Sequence, residues 1–138
     1  MHRPARWQLY RHFFAAGMFL MGSGTHAGSP PLTGEWGGPQ VRFHLTEAGG
    51  TLDLACAAVH LDSPVRAGAD GKFAAEGRYE DFAGGPAPAD VPPPSTPAHF
   101  SGHIDGDTMQ LSVHRHGDKT AQAFVLERGR RVKLIRCA

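Results

Sequence analysis

From residue 41 the chain alternates between apolar and polar positions. Val41, Phe43 and Leu45 are apolar, and Arg42, His44 and Thr46 are polar. Side chains of an extended chain point to opposite faces at every second residue, so this pattern predicts a half-buried strand. Leu52, Leu54 and Cys56 repeat it after Gly49-Gly50, which predicts two antiparallel strands joined by a tight turn there. Ala55 to Leu61 reads as strand running into a turn at Asp62-Ser63-Pro64. Asp70-Gly71 marks the next turn, ahead of Phe73, Ala75, Gly77 and Tyr79 on one face. Asp105-Gly106 divides Phe100-Gly102-Ile104 from Met109-Leu111-Val113, the clearest hairpin in the chain. Gly117-Asp118 leads to Phe124 and Leu126, and Gly129 turns into a last strand, Val132 to Cys137.

No stretch after residue 27 carries an apolar stripe of helical period and length. The pattern therefore predicts an all-β fold, a small antiparallel up-and-down barrel or barrel-like meander of about seven or eight strands. Residues 84–97 interrupt it with six prolines, beside Gly84 and Gly85. That composition predicts a long, extended loop between strands.

The first 27 residues follow a different logic. Arg3, Arg6 and Arg11 precede a short apolar run from Phe13 to Met21, and Thr25-His26-Ala27 places small residues at both recognition positions of a cleavage site. This is the pattern of a secretory signal peptide, with cleavage expected near Ala27 and a single domain over 28–138 in the periplasm or outside the cell. The apolar run is shorter than the roughly 20 residues a membrane span needs. Removing the leader takes three of 14 basic residues, leaving 11 against 13 acidic ones and a formal charge of −2. Such a domain lacks the global field that gathers nucleic acid or an anionic membrane. Arg128, Arg130, Arg131, Lys133 and Arg136 crowd the end of the chain. On a last strand they read as a solvated edge that discourages pairing, with a patch for an anionic partner as the alternative.

The chain has two cysteines, Cys56 and Cys137. In an oxidising compartment a lone pair reads as one disulfide, here tying an early strand to the last one. Closing so long a loop stabilises by at most roughly 4–5 kcal/mol in the chain-entropy model, an upper figure that strain reduces.

Leu32-Thr33-Gly34-Glu35-Trp36 resembles the start of lipocalin-like barrels, and also the opening of small periplasmic metalloprotease inhibitors. The first resemblance implies a Trp that plugs one barrel end, and the second a free N-terminal arm that enters a protease. More broadly, Trp36-Gly37-Gly38, Cys56-Ala57, Gly84-Gly85-Pro86 and Cys137 look like features of small exported bacterial proteins of unknown function.

Candidate chemistry is sparse. Inward residues such as Trp36, Phe43, Phe73, Tyr79, Phe100 and Leu111 would line an apolar ligand site or simply fill the core, since a small eight-stranded barrel is narrow enough to be filled. His114 and His116 share a face at strand spacing, and pairing across Asp105-Gly106 would bring His103 towards them, making these three weak candidates for a metal. On a face opposite Ile104, Met109, Leu111 and Val113 they read instead as solvated side chains. No nucleophile elbow, HExxH or phosphate-cradling Gly-rich loop occurs. The sequence thus points to a noncatalytic exported protein without a cofactor or membrane span, binding a small apolar ligand or an envelope protein. Inhibition of an exported protease or other hydrolase, through the N-terminal arm or the Pro-rich loop, is the alternative.

Overall fold

The alternation closes on itself. In the computed structural model, which describes residues 29–82 and 88–137, eight strands follow in chain order. They are β1 (Gly34–Gly38), β2 (Val41–Thr46), β3 (Gly49–Leu54), β4 (Ala57–Leu61), β5 (Lys72–Asp81), β6 (Thr96–Asp105), β7 (Thr108–Arg115) and β8 (Gln122–Arg128). Each pairs antiparallel with its neighbour, and β8 returns to β1 through Trp36–Arg128 and Gly37–Glu127, giving a closed barrel. The all-β, one-disulfide architecture is therefore the one the sequence predicts. The expected leader and the Gly84-Gly85-Pro86 segment lie outside the described residues.

Inside, the period-two positions meet. In β2, Val41, Phe43 and Leu45 are buried while Arg42, His44 and Thr46 face out. Trp36, Phe43, Leu52, Phe100, Met109 and Leu126 expose none of their surface, so no water-sized void touches them. Burial of each contributes about 1.5–3 kcal/mol. At Gly102 the ring of Phe73 occupies the place a Cβ would take. Outside, cross-strand pairs such as Arg42–Asp53, His44–Glu35 and His99–Glu76 stand in water. This is the inverse of the apolar outer band of a membrane-spanning barrel. Among the described residues no helix is long and apolar enough to cross a membrane.

Several sequence expectations are corrected. One strand is added to those the alternation predicts: the Gly-rich segment Gly34–Gly38, poor in strand formers, is β1, because Trp36 pairs with both Phe43 and Arg128 and closes the barrel. Gly49 and Gly50 open β3, and the two-residue turn falls earlier at Glu47-Ala48, where Thr46 Oγ1 accepts from the Ala48 N–H (3.3 Å). The strand through Cys56 is broken: Ala55-Cys56 is the turn between β3 and β4. Pro97 lies within β6 rather than in the loop. Its carbonyl accepts from the His116 N–H (2.8 Å) beyond the end of β7, so its missing N–H falls where the ladder has already ended. In the β6–β7 hairpin Gly106 has φ +60°, the left-handed first position of a tight two-residue turn.

The largest correction concerns Val132 to Cys137, which form no strand. Residues 130–137 cross the outside of β1–β3 as a strap. The Arg130 carbonyl and Val132 Cγ2 occupy the space above Gly37, the latter 2.6 Å from where a Cβ would stand. Ile135 N–H donates to Gln40 Oε1 (3.1 Å), and Cys137 N–H donates to the Ala55 carbonyl (3.0 Å). The Cys56–Cys137 disulfide, with Cα atoms 5.1 Å apart, fastens the end of the strap to the β3–β4 turn.

Candidate functional site

The six inward candidates all fall in one buried cluster. Phe43 and Phe100 stack across the interior, with centroids 6.0 Å apart and planes at 19°. Trp36 lies under the Arg128 guanidinium, 4.3 Å from its ring centroid, while Arg128 Nε also donates to Asp107 (3.2 Å). Tyr79 has Arg115 at 4.8 Å over its ring and accepts from Gln122 Nε2 (3.4 Å). Gln122 begins β8 and Arg128 ends it, so these two arginine–aromatic stacks close opposite ends of the barrel. The Trp36 Nε1–H finds no partner among the described residues, a cost of about 1–3 kcal/mol in a buried donor. Phe73 and Leu111 complete the packing around Gly102.

The histidine grouping is not the expected one. His103 pairs with Gln110, whereas the residue opposite His114 is His99. His103 instead donates from Nε2 to the Asp70 carbonyl (3.1 Å). His114 donates from Nε2 to the Asp118 carbonyl (2.8 Å), and His99 from Nδ1 to Glu76 (2.6 Å), tautomers assigned from these acceptors. His116 lies past the end of β7, so it does not continue the face of His114. Among the described residues no three His, Cys, Asp or Glu side chains are grouped to hold a metal.

The N-terminal arm is tied down where it is described. Leu32 N–H donates to the Val65 carbonyl (2.7 Å), and the Arg66 guanidinium donates to the Ser29 carbonyl (2.5 Å). Nearby, Arg78 grips Asp62 with two bonds of 2.8 and 3.0 Å, and this bidentate contact holds the Asp62 carboxyl below its usual pKa and raises that of Arg78.

Surface relief remains on two opposite flanks. One trough lies over β5–β8, lined by the outward residues Ser101, Gln110, Ser112, Ala123 and Val125, with Lys72 and His103, and also by Phe73, Leu111 and Phe124, so two of the six inward candidates border it. The other flank, beside the strap, carries a trough lined by Arg42, Arg131, Val132, Lys133, Leu134 and Arg136, with no carboxylate in it. A neighbouring trough shares Arg42, Arg131 and Val132 and adds Arg130, Glu35, His44 and Asp53. Arg128, counted with this run in the sequence, belongs instead to the barrel end over Trp36. The strap's place on the barrel was missed, although its alternation (Val132 and Leu134 half-buried, Arg131, Lys133 and Ile135 exposed) was visible as a period-two signal.

Fold and surface together define a small, closed, eight-stranded antiparallel barrel with a filled interior and a disulfide-fastened outer strap. No protein-family model matches the chain, and no curated protein or solved structure matches it.

Proposed function

We propose that this chain is an exported, noncatalytic protein that holds a protein partner of the cell envelope on the outside of its barrel. The observation that carries this reading is the filled interior. Trp36, Phe43, Phe100 and Met109 fill the middle of the barrel, and none of them meets a water-sized void, which favours a partner outside over a ligand enclosed among them. Work is then left to the outer surface, and the trough over β5–β8, with Lys72 as the one Lys or Arg in its lining and no carboxylate, is the flank where a protein would desolvate the fewest charges. Val125 at its rim is 60 % exposed. The disulfide accords with an oxidising compartment.

The test expresses the chain with its leader and with a photo-crosslinking residue at Ser112, or at Glu47 as a control site. The denatured mass of the purified product is expected to lack the leader. Ser112 is expected to give one discrete protein adduct that Glu47 does not, and Val125→Arg is expected to abolish it. A native mass spectrum with a reproducible small apolar adduct, or equal crosslinking from both sites, overturns the reading.

A further inference from the structure

We propose that the strapped flank is a docking surface for an anionic membrane leaflet, recognised through its phosphate headgroups. This goes beyond the protein-partner reading and uses the opposite side of the barrel, since the strap crosses β1–β3 and the other trough lies over β5–β8.

Charge is concentrated here. Arg42, Arg130, Arg131, Lys133 and Arg136 are five of the 11 Lys and Arg residues beyond the leader. The carboxylates lining these troughs are Glu35 and Asp53, and both are engaged. Glu35 accepts from His44 Nδ1, while Asp53 accepts from Arg42 (3.2 Å) and lies 3.9 Å from Arg136. Glu127, opposite Gly37, is the next carboxylate along the ladder. Arg130, Arg131 and Lys133 make no ion pair among the described residues. A domain whose sequence from residue 28 sums to −2 thus turns a positive side outward, and guanidinium groups match phosphate oxygens in pairs.

Apolar side chains are interleaved with that charge, which separates a membrane from a soluble polyanion. Extended alternation turns Val132 and Leu134 towards the barrel and leaves Arg131, Lys133 and Ile135 on the outer side of the strap. Ile135 is 71 % exposed. Phe82, 43 % exposed, lies beneath Arg136, whose guanidinium is 4.9 Å from its ring centroid. Cations that meet headgroups beside apolar side chains that enter the interface are the composition of peripheral membrane attachment. The disulfide at Cys137 fixes both sets on one rigid flank.

The experiment is flotation of the purified, oxidised protein with vesicles of phosphatidylcholine alone or containing one-third phosphatidylglycerol. Binding to the anionic vesicles only, lost at high salt, is expected. Replacing Arg131→Gln and Lys133→Gln together should weaken it about 25-fold, taking about 1 kcal/mol per basic residue near the surface. Ile135→Ser should weaken vesicle binding while leaving retention of soluble polyphosphate unchanged, and Arg66→Gln with Lys119→Gln should alter neither. Equal binding to both vesicle types, no flotation at low salt, or retention of polyphosphate without flotation overturns the proposal. Because only purified protein and lipid are present, failure here leaves the protein-partner reading standing, and the reverse also holds.

Discussion

Residues 41–46 and residues 132–137 open on the same apolar–polar–apolar alternation, which the second loses at Ile135-Arg136, and they have different structures. The first is β2, paired on both sides; the second is a strap held by one backbone bond to Gln40, one to Ala55, the contacts of Arg136 with Asp53 and Phe82, and the disulfide. The difference is one of available edges. Alternation specifies an extended chain with two unlike faces, but a ladder also needs a free row of backbone donors and acceptors. Once β8 closes on β1 the sheet has no edge left for the tail to join. The tail therefore buries its apolar face, Val132 and Leu134, across the outside of strands that are already paired. Two modes of attachment result: a barrel held by cooperative packing, and a strap held at points.

The sharpest break of this comparison is inside. Phe100→Ala removes one ring of the stacked pair with Phe43 and leaves a void in a core without room to collapse. We expect a loss of about 3–5 kcal/mol, read as a lowered urea midpoint with an unchanged slope. Barrel and strap should lose structure together, because the strap has nothing else to lie on. A loss below 1 kcal/mol would mean that the interior is loosely filled.

Next in size is Cys56→Ser. The disulfide spans 81 positions, and its loss is expected to cost about 2–4 kcal/mol and to leave a free thiol at Cys137. The barrel closes through β1 and β8, both independent of this bond, so amide signals of the strands should persist at room temperature. Trypsin, by contrast, should cut after Arg130, Arg131 and Lys133 far sooner than anywhere in the barrel. Simultaneous loss of strand signals would show that the strap is part of the cooperative unit.

The fold class was legible because most strands carry their own alternation and their own turn residues. Asp70-Gly71, Asp105-Gly106 and Gly117-Asp118 all fall at turns in the structure. What was not legible depended on non-local pairing. Gly34–Gly38 has glycines where strand formers are expected, and only its partners Phe43 and Arg128 make it β1. Val132 to Cys137 has the pattern of a strand and no edge to join. The histidines show the same limit, since parity places residues on a face but register decides which of them meet. Here register brings His99, not His103, opposite His114. The basic run was visible in sequence, but its division between Arg128 over Trp36 and the strap over β1–β3 depends on where the chain turns at Gly129.

A smaller and more selective break is Gly37→Ala. In a strand this change ordinarily stabilises by about 0.5–1 kcal/mol through reduced chain entropy. Here the new methyl meets the Arg130 carbonyl and Val132, so the strap must lift while β1 itself is undisturbed. The expected result is faster tryptic cleavage of the tail with the melting temperature changed by only a few degrees. Slow cleavage, as in the wild type, would mean that the strap is pinned elsewhere than at Gly37.

The smallest effect is expected on the barrel surface, at Asp62 and Arg78. Their two-bond contact lowers the Asp62 pKa, chiefly through the hydrogen bonds from Arg78; desolvation opposes this, and the charge of Arg78 adds a lesser lowering. A carboxyl whose pKa is lower folded than unfolded adds stability that is fully present above its unfolded value, near 3.9, and is lost as pH falls through the folded value. Asp62→Asn should therefore be slightly less stable than the wild type at pH 7, and the two should converge once the pH has fallen below the folded value. Both partners are solvent-exposed, so the difference is of the order seen for surface ion pairs and should shrink further in high salt. The pair joins β5 to the residue after β4, at the other end of β4 from the disulfide, and includes no strap residue, so tryptic cleavage of the tail should not respond to it. If acidification freed the tail while melting stayed constant, the acid-sensitive contact would not be the Asp62–Arg78 pair.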